Sequence, residues 1–166
     1  MTTAEPGRDE RDSGGGALAH ARRLGLDVAE QRHGPVRSLA EAAAARGIEE
    51  RDLVKTMVVR RSEDDYVFVL VPGDRQISWP KLRALLGVSR LSMPDAATAQ
   101  RVTGYARGTI TPLGAHTPWP VIADERIAGR AISIGGGDHG FGLAVDADGL
   151  VAALGATMAD VTDATG

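Results

Sequence analysis

Apolar positions change their spacing several times along the chain, and each change marks an element. Over 17–24 the run ALAHARRL places apolar residues at helical spacing and Gly25 stops it, so a short helix is expected. Residues 26–33 suit a first strand. Ser38 reads as an N-cap, Glu41 completes a capping box three residues on, and the Ala-rich helix ends at Gly47. Two β-branched runs follow, LVKTMVV within 52–61 and YVFVLV over 66–71, and the charged SEDD between them predicts a hairpin. Past Pro72 and Gly73, residues 79–86 suit a helix with Pro80 in its first turn. A short strand is expected over 88–91, then a helix capped by Asp95 and ended near Gly104.

The stretch 108–120 is rich in glycine and proline and reads as an ordered loop. Three more strands are expected over 121–124, 131–134 and 140–145, followed by a helix capped by Asp148 that runs to Leu154. Residues 156–161 close the pattern, and there is no internal repeat. The sum is a mixed α/β (α+β) domain of about six or seven strands and four or five short helices. Strands arrive in hairpins and groups, which argues against a doubly wound sheet.

Composition narrows the chemistry. The 166 residues suit one domain, expected over 17–166, behind a polar, Gly-rich flexible tail at 1–16. With 4% aromatic residues and 43% hydrophobic, the core must rest on Ala, Val, Leu and Ile. The absence of cysteine excludes disulfides, thiolate metal sites and cysteine nucleophiles. No apolar run is long enough for a membrane span and the polar start does not read as a signal peptide, so a soluble, cytoplasmic protein is expected. Net charge is −3, yet residues 17–110 carry fifteen basic and eleven acidic residues while 111–166 carry two and seven. Any phosphate contact is therefore local and confined to the middle of the chain.

Three places could carry chemistry. Lys55, one of only two lysines, stands on a predicted strand beside Val54 and Met57, either presenting an ammonium at a cleft or laying its stem along the surface. The loop from Gly104 and Tyr105 to Gly114 holds Gly108, Thr109, Ile110, Thr111 and Pro112. Glycines there allow close backbone approach, and fixed N–H groups can stabilise an oxyanion; the same residues also serve simply to turn the chain. Gly135, Gly136 and Gly137 precede Asp138 and His139 between two strands, more glycine than a hairpin needs. His139 could meet a substrate or lie on the surface. His20, His33 and His116 lack metal-ligand spacing, and no nucleophile–base pair is visible.

Leu53-Val54-Lys55-Thr56-Met57-Val58-Val59, followed about fifty residues on by Thr103-Gly104-Tyr105-x-x-Gly108-x-Ile110-Thr111-Pro112-Leu113-Gly114, resembles the YbaK family. Members are freestanding relatives of the editing domain inserted in bacterial prolyl-tRNA synthetases. The resemblance implies a partly barrel-like mixed sheet with helices around it, and hydrolysis of mischarged aminoacyl-tRNA, typically tRNA for proline carrying a small wrong amino acid. It implies that Gly108, Thr109, Ile110, Thr111 and Pro112 form the catalytic loop. Lys55 would contact the tRNA end, with Thr56, Tyr105, Gly135, Gly136 and His139 lining the substrate site. The expected partners are the acceptor end of aminoacyl-tRNA and a synthetase, with no membrane, metal or organic cofactor.

The family loop often has two adjacent glycines where this chain has Gly108 and Thr109. Cysteine-specific members carry Ser and Asp where this chain has Gly135 and Gly142, and a basic pair where it has Asp138 and His139. Cysteine specificity is accordingly not carried over. Two other readings stand beside the deacylase: a non-catalytic tRNA- or synthetase-binding module that keeps the fold, and a small-molecule hydrolase.

Overall fold

The computed structural model describes residues 15–165. Most of the tail expected at 1–16 lies outside that range, and α1 (Gly15–Arg23) already begins at Gly15. It is followed by β1 (Ala29–Arg32), α2 (Leu39–Arg46), the first of two 3₁₀ turns (Glu50–Asp52; the second is Glu125–Ile127), β2 (Val54–Ser62) and β3 (Asp65–Pro72). Then come β4 (Arg75–Ile77), α3 (Trp79–Leu86), α4 (Ala96–Thr103) and β5 (Val121–Asp124). The chain ends through β6 (Ala131–Asp138), β7 (Phe141–Asp146), α5 (Ala147–Leu154), β8 (Thr157–Ala159) and β9 (Thr162–Ala164).

The mixed α+β class is as expected, with five helices and nine strands among the described residues. Helix ends follow local chemistry. Ser38 accepts from the Glu41 N–H and Asp95 from that of Thr98, while Gly47 and Gly104 close their helices in the left-handed region. Two expectations are corrected. The cap of α5 is Asp146, which accepts from Gly149 N at 2.9 Å, whereas Asp148 reaches out to accept from Gly129 N at 3.0 Å. No strand forms over 88–91; only Ser92 pairs, in one bridge with Arg60. That run has no continuous partner to supply ladder hydrogen bonds.

Pairing gives three sheets. One is antiparallel in the order β1-β7-β6, a second runs β2-β3-β5-β8, and β4 pairs with β9. In the second, β2 and β3 form the expected hairpin, and β5 and β8 join parallel to it. A single parallel bridge from Leu53 to Ser133 sets the start of β2 beside β6.

Strand β3 is buried along almost its whole length because apolar layers cover both its faces. Phe68 and Leu70 pack with Phe141, Leu143, Ile132, Ile134 and Leu150 on one side. Val67, Val69 and Val71 pack with Val59, Leu82, Ile122 and Val161 on the other. With so few aromatic rings, small branched side chains fill these layers, at about 1.5–3 kcal/mol for each one fully buried.

Candidate active site

The free edge of β2 opens a cleft. Arg60 and Ser92 exchange both backbone hydrogen bonds, at 2.8 and 3.2 Å. Backbone direction alternates along an antiparallel strand, so Val58 and Thr56 also turn their N–H and C=O groups away from β3. Between the bridges at Leu53 and Arg60 these groups border a cavity of about 1130 Å³. Its other walls come from α2, from the 93–99 segment that starts α4, from the 107–110 loop and from the β6–β7 hairpin. The hydroxyl of Thr56 is buried with no hydrogen-bond partner among the described residues.

Six of the residues singled out in the sequence line this cavity: Lys55, Thr56, Gly108, Ile110, Gly135 and His139. Lys55 is half-buried, and its Nζ donates to the Arg75 carbonyl at 2.7 Å. Burial lowers its pKa, and nearby Asp74 works against that. His139 is exposed, with its ring beside Gly108.

Thr109, Thr111, Pro112, Tyr105 and Gly136 are not on the cavity wall; the first four build the loop that reaches it, and Gly136 lies in β6. Thr109 is buried and its hydroxyl donates to the Ala106 carbonyl at 2.7 Å. That hydroxyl is therefore spent inside the loop. Thr111 Oγ1 accepts from Leu113 N at 3.3 Å. The Tyr105 hydroxyl donates to the Leu113 carbonyl at 2.5 Å, and burial pushes its pKa up to about 12, so it stays protonated. From outside, His20 Nδ1 accepts from Gly114 N at 2.8 Å, which ties α1 to the loop.

With Thr109 N turned to Ala106, the Gly108 and Ile110 N–H groups have no protein partner among the described residues. Both residues line the cavity. Two fixed, unpaired amide donors in a partly enclosed site are what a developing oxyanion requires.

The three consecutive glycines serve three different contacts. A Cβ on Gly135 would stand 3.0 Å from the Ile110 carbonyl oxygen, and one on Gly136 would run into the Phe141 ring. Gly137, with φ of +93°, lies against the Tyr105 ring. The register slips between Gly135 and Asp138, so this is a bulged strand end carried right up to the loop.

The sequence reading missed Arg46, His33, Met93 and Pro94, which also line the cavity. Among the described residues, no group of three or more His, Asp or Glu side chains could hold a metal ion, and no helix is long and apolar enough to cross a membrane.

A family model described as the aminoacyl-tRNA editing domain matches residues 33–153, which include every residue of the cavity wall. The chain belongs to that family. A solved structure of a candidate trans-editing enzyme for prolyl tRNA synthetase has the same fold, with a TM-score of 0.82 and 27% identity. The match covers 91% of this chain and 97% of that one. The candidate Cys-tRNA(Pro)/Cys-tRNA(Cys) deacylase EbsC of Enterococcus faecalis is 25% identical over 75% of this chain and 77% of its own. A proline–tRNA ligase of Caldicellulosiruptor saccharolyticus is 37% identical over 79 residues, 48% of this chain. Those residues make up only 14% of the ligase, so the likeness is to one segment of a much larger enzyme. In this editing domain, Lys55 and Thr56 of the strand and Gly108 and Ile110 of the loop line one cavity.

Proposed function

We propose that this editing domain hydrolyses the ester of mischarged aminoacyl-tRNA, with tRNA for proline carrying a small wrong amino acid as its substrate. The observation that carries this is a pair of N–H groups, at Gly108 and Ile110, that have no partner among the described residues and belong to the wall of a cavity that Lys55 also lines. Water adds to the ester carbonyl, and the oxyanion so formed is held by the two amides. The C–O bond then breaks, releasing the amino acid and the ribose hydroxyl. Water or a neighbouring ribose hydroxyl of the substrate handles the proton, because no side-chain nucleophile–base pair stands at the loop. An aminoacyl ester is already activated, so positioning and oxyanion stabilisation suffice. Lys55 receives the tRNA end, and the enzyme acts in the cytoplasm on the errors of a synthetase.

The test is release of amino acid from tRNA for proline charged separately with Ala, Cys or Ser, against correctly charged Pro-tRNA. Release from at least one mischarged species, and not from Pro-tRNA, is expected. Lys55→Ala removes a charge-assisted contact worth about 1.5–3 kcal/mol, a loss of roughly 10- to 150-fold in kcat/KM. Binding of the tRNA end with no release from any species would instead favour the non-catalytic module.

A further inference from the structure

One wall of the cavity carries a positive charge that nothing in the described protein neutralises. Arg46, the last residue of α2, is half-buried there. Its Nε donates to His33 Nε2 at 3.3 Å, and its Nη1 donates to Ser133 Oγ at 3.0 Å. Since His33 Nε2 accepts, its Nδ1 carries the hydrogen and donates to the Gly34 carbonyl at 2.8 Å. Ser133 Oγ donates in turn to Gln31 Oε1 at 2.6 Å, and Gln31 Nε2 donates back to the carbonyl of Arg46 at 3.4 Å. These bonds run in one direction and fix the guanidinium while using only two of its five N–H groups.

Every acceptor in that ring is neutral. Among the described residues Arg46 makes no ion pair, and the carbonyl end of α2 supplies only a partial charge. Burial alone acts on the group, lowering its pKa with no opposing carboxylate. Holding a guanidinium partly out of water without a counter-ion is costly unless an anion arrives to pair with it.

Gly142 keeps the space for it. Its backbone is not in the left-handed region, so conformation does not demand glycine there. A Cβ at Gly142 would stand 2.5 Å from Arg46 Nη1. The guanidinium lies flat against this bare stretch of β7.

The geometry points to Arg46 as the binding site for a phosphodiester oxygen of the terminal nucleotide, on the part of the cavity wall next to the Gly108–Ile110 loop. This rests on the aminoacyl-tRNA reading. The distance fits: Ser133, which holds Arg46, is two residues from Gly135, which touches the loop. Two residues of strand span about 7 Å, comparable with the separation of a ribose hydroxyl from the phosphate of the same nucleotide. A small uncharged amino acid brings no other anion.

The experiment is a salt titration of the binding of an uncharged, CCA-ended acceptor-stem oligonucleotide, read by fluorescence anisotropy. Alongside it, deacylation kinetics are measured on mischarged tRNA. Arg46→Gln should weaken binding about tenfold and lower the salt slope by about one, while Arg46→Lys keeps the slope. In deacylation the same loss should fall on KM and leave kcat nearly unchanged. Gly142→Ala, which keeps Arg46 but displaces its guanidinium, should reproduce the binding defect.

A folded Arg46→Gln protein with unaltered affinity and slope would overturn the inference. So would a defect confined to kcat, or one seen only on tRNA charged with an acidic amino acid, which would assign the anion to the amino-acid side chain. Oligonucleotide binding that depends on Arg46, with no release from any mischarged tRNA, would uphold this inference and defeat the deacylase reading.

Discussion

Gly135 has a negative-φ backbone that any residue could adopt, so its glycine answers to space alone. The Ile110 carbonyl would lie 3.0 Å from its Cβ, tighter than ordinary contact, and Ile110 is one of the two loop residues on the cavity wall whose N–H groups have no partner among the described residues. Gly135→Ala should therefore push the loop by some tenths of an ångström. We expect kcat/KM to fall by up to about 100-fold, because small misplacements near the reacting centre are amplified. Stability should change by only about 1–3 kcal/mol, checked by comparing deacylation rates with thermal melts of the same protein. The glycine run was legible as unusual in the sequence, and so was the loop it meets. Arg46 was not legible, because Ser133 and Gly142, which give it meaning, lie about ninety residues along the chain. Locally it is only a basic residue in the last turn of an Ala-rich helix, where a cation is common.

Elements set by their own neighbours were readable, and those set by distant partners were not. Ser38 with Gly47, and Asp95 with Gly104, are complete signals within one helix length, and both helices form as read. Strands β4, β8 and β9 are three residues each and exist because of partners far away in sequence, such as Arg75 opposite Ala164. No periodicity can show in so short a run. The start of α5 shows a finer limit, since Asp146 and Asp148 are both credible caps and only the bond to Gly149 N decides. Asp146→Ala should cost about 1 kcal/mol, the usual price of a lost N-cap. A denaturant melt with unchanged m-value would establish it.

At the scale of the whole molecule, α1 and the loop that ends at Gly114 are tied by one imidazole hydrogen bond. His20 Nδ1 must be unprotonated to accept from Gly114 N, and burial, with Arg23 second, lowers its pKa below 6.5. A base whose folded pKa is depressed contributes fully above its unfolded value of 6.5 and loses that contribution as pH falls from there towards the folded value. Melting temperature should accordingly drop on acidification through this window, and His20→Leu should flatten that part of the profile. Measuring melts of both proteins between pH 8 and 5 tests the point; equal slopes would remove His20 from the account.

The open edge of β2 has a further consequence, for solubility. A row of strand groups that are unpaired among the described residues, bordered by Val54, Met57 and Val58, is the kind of edge that invites a strand from another copy to pair with it. Here the bridge to Ser133 closes one end of that row and the bridge to Ser92 closes the other. Val54 and Val58, within the stretch between the bridges, are buried, so this edge is not presented at the surface as an open strand. The same two bridges that frame the cavity cover both ends of a strand edge of the kind that promotes aggregation when it is left open.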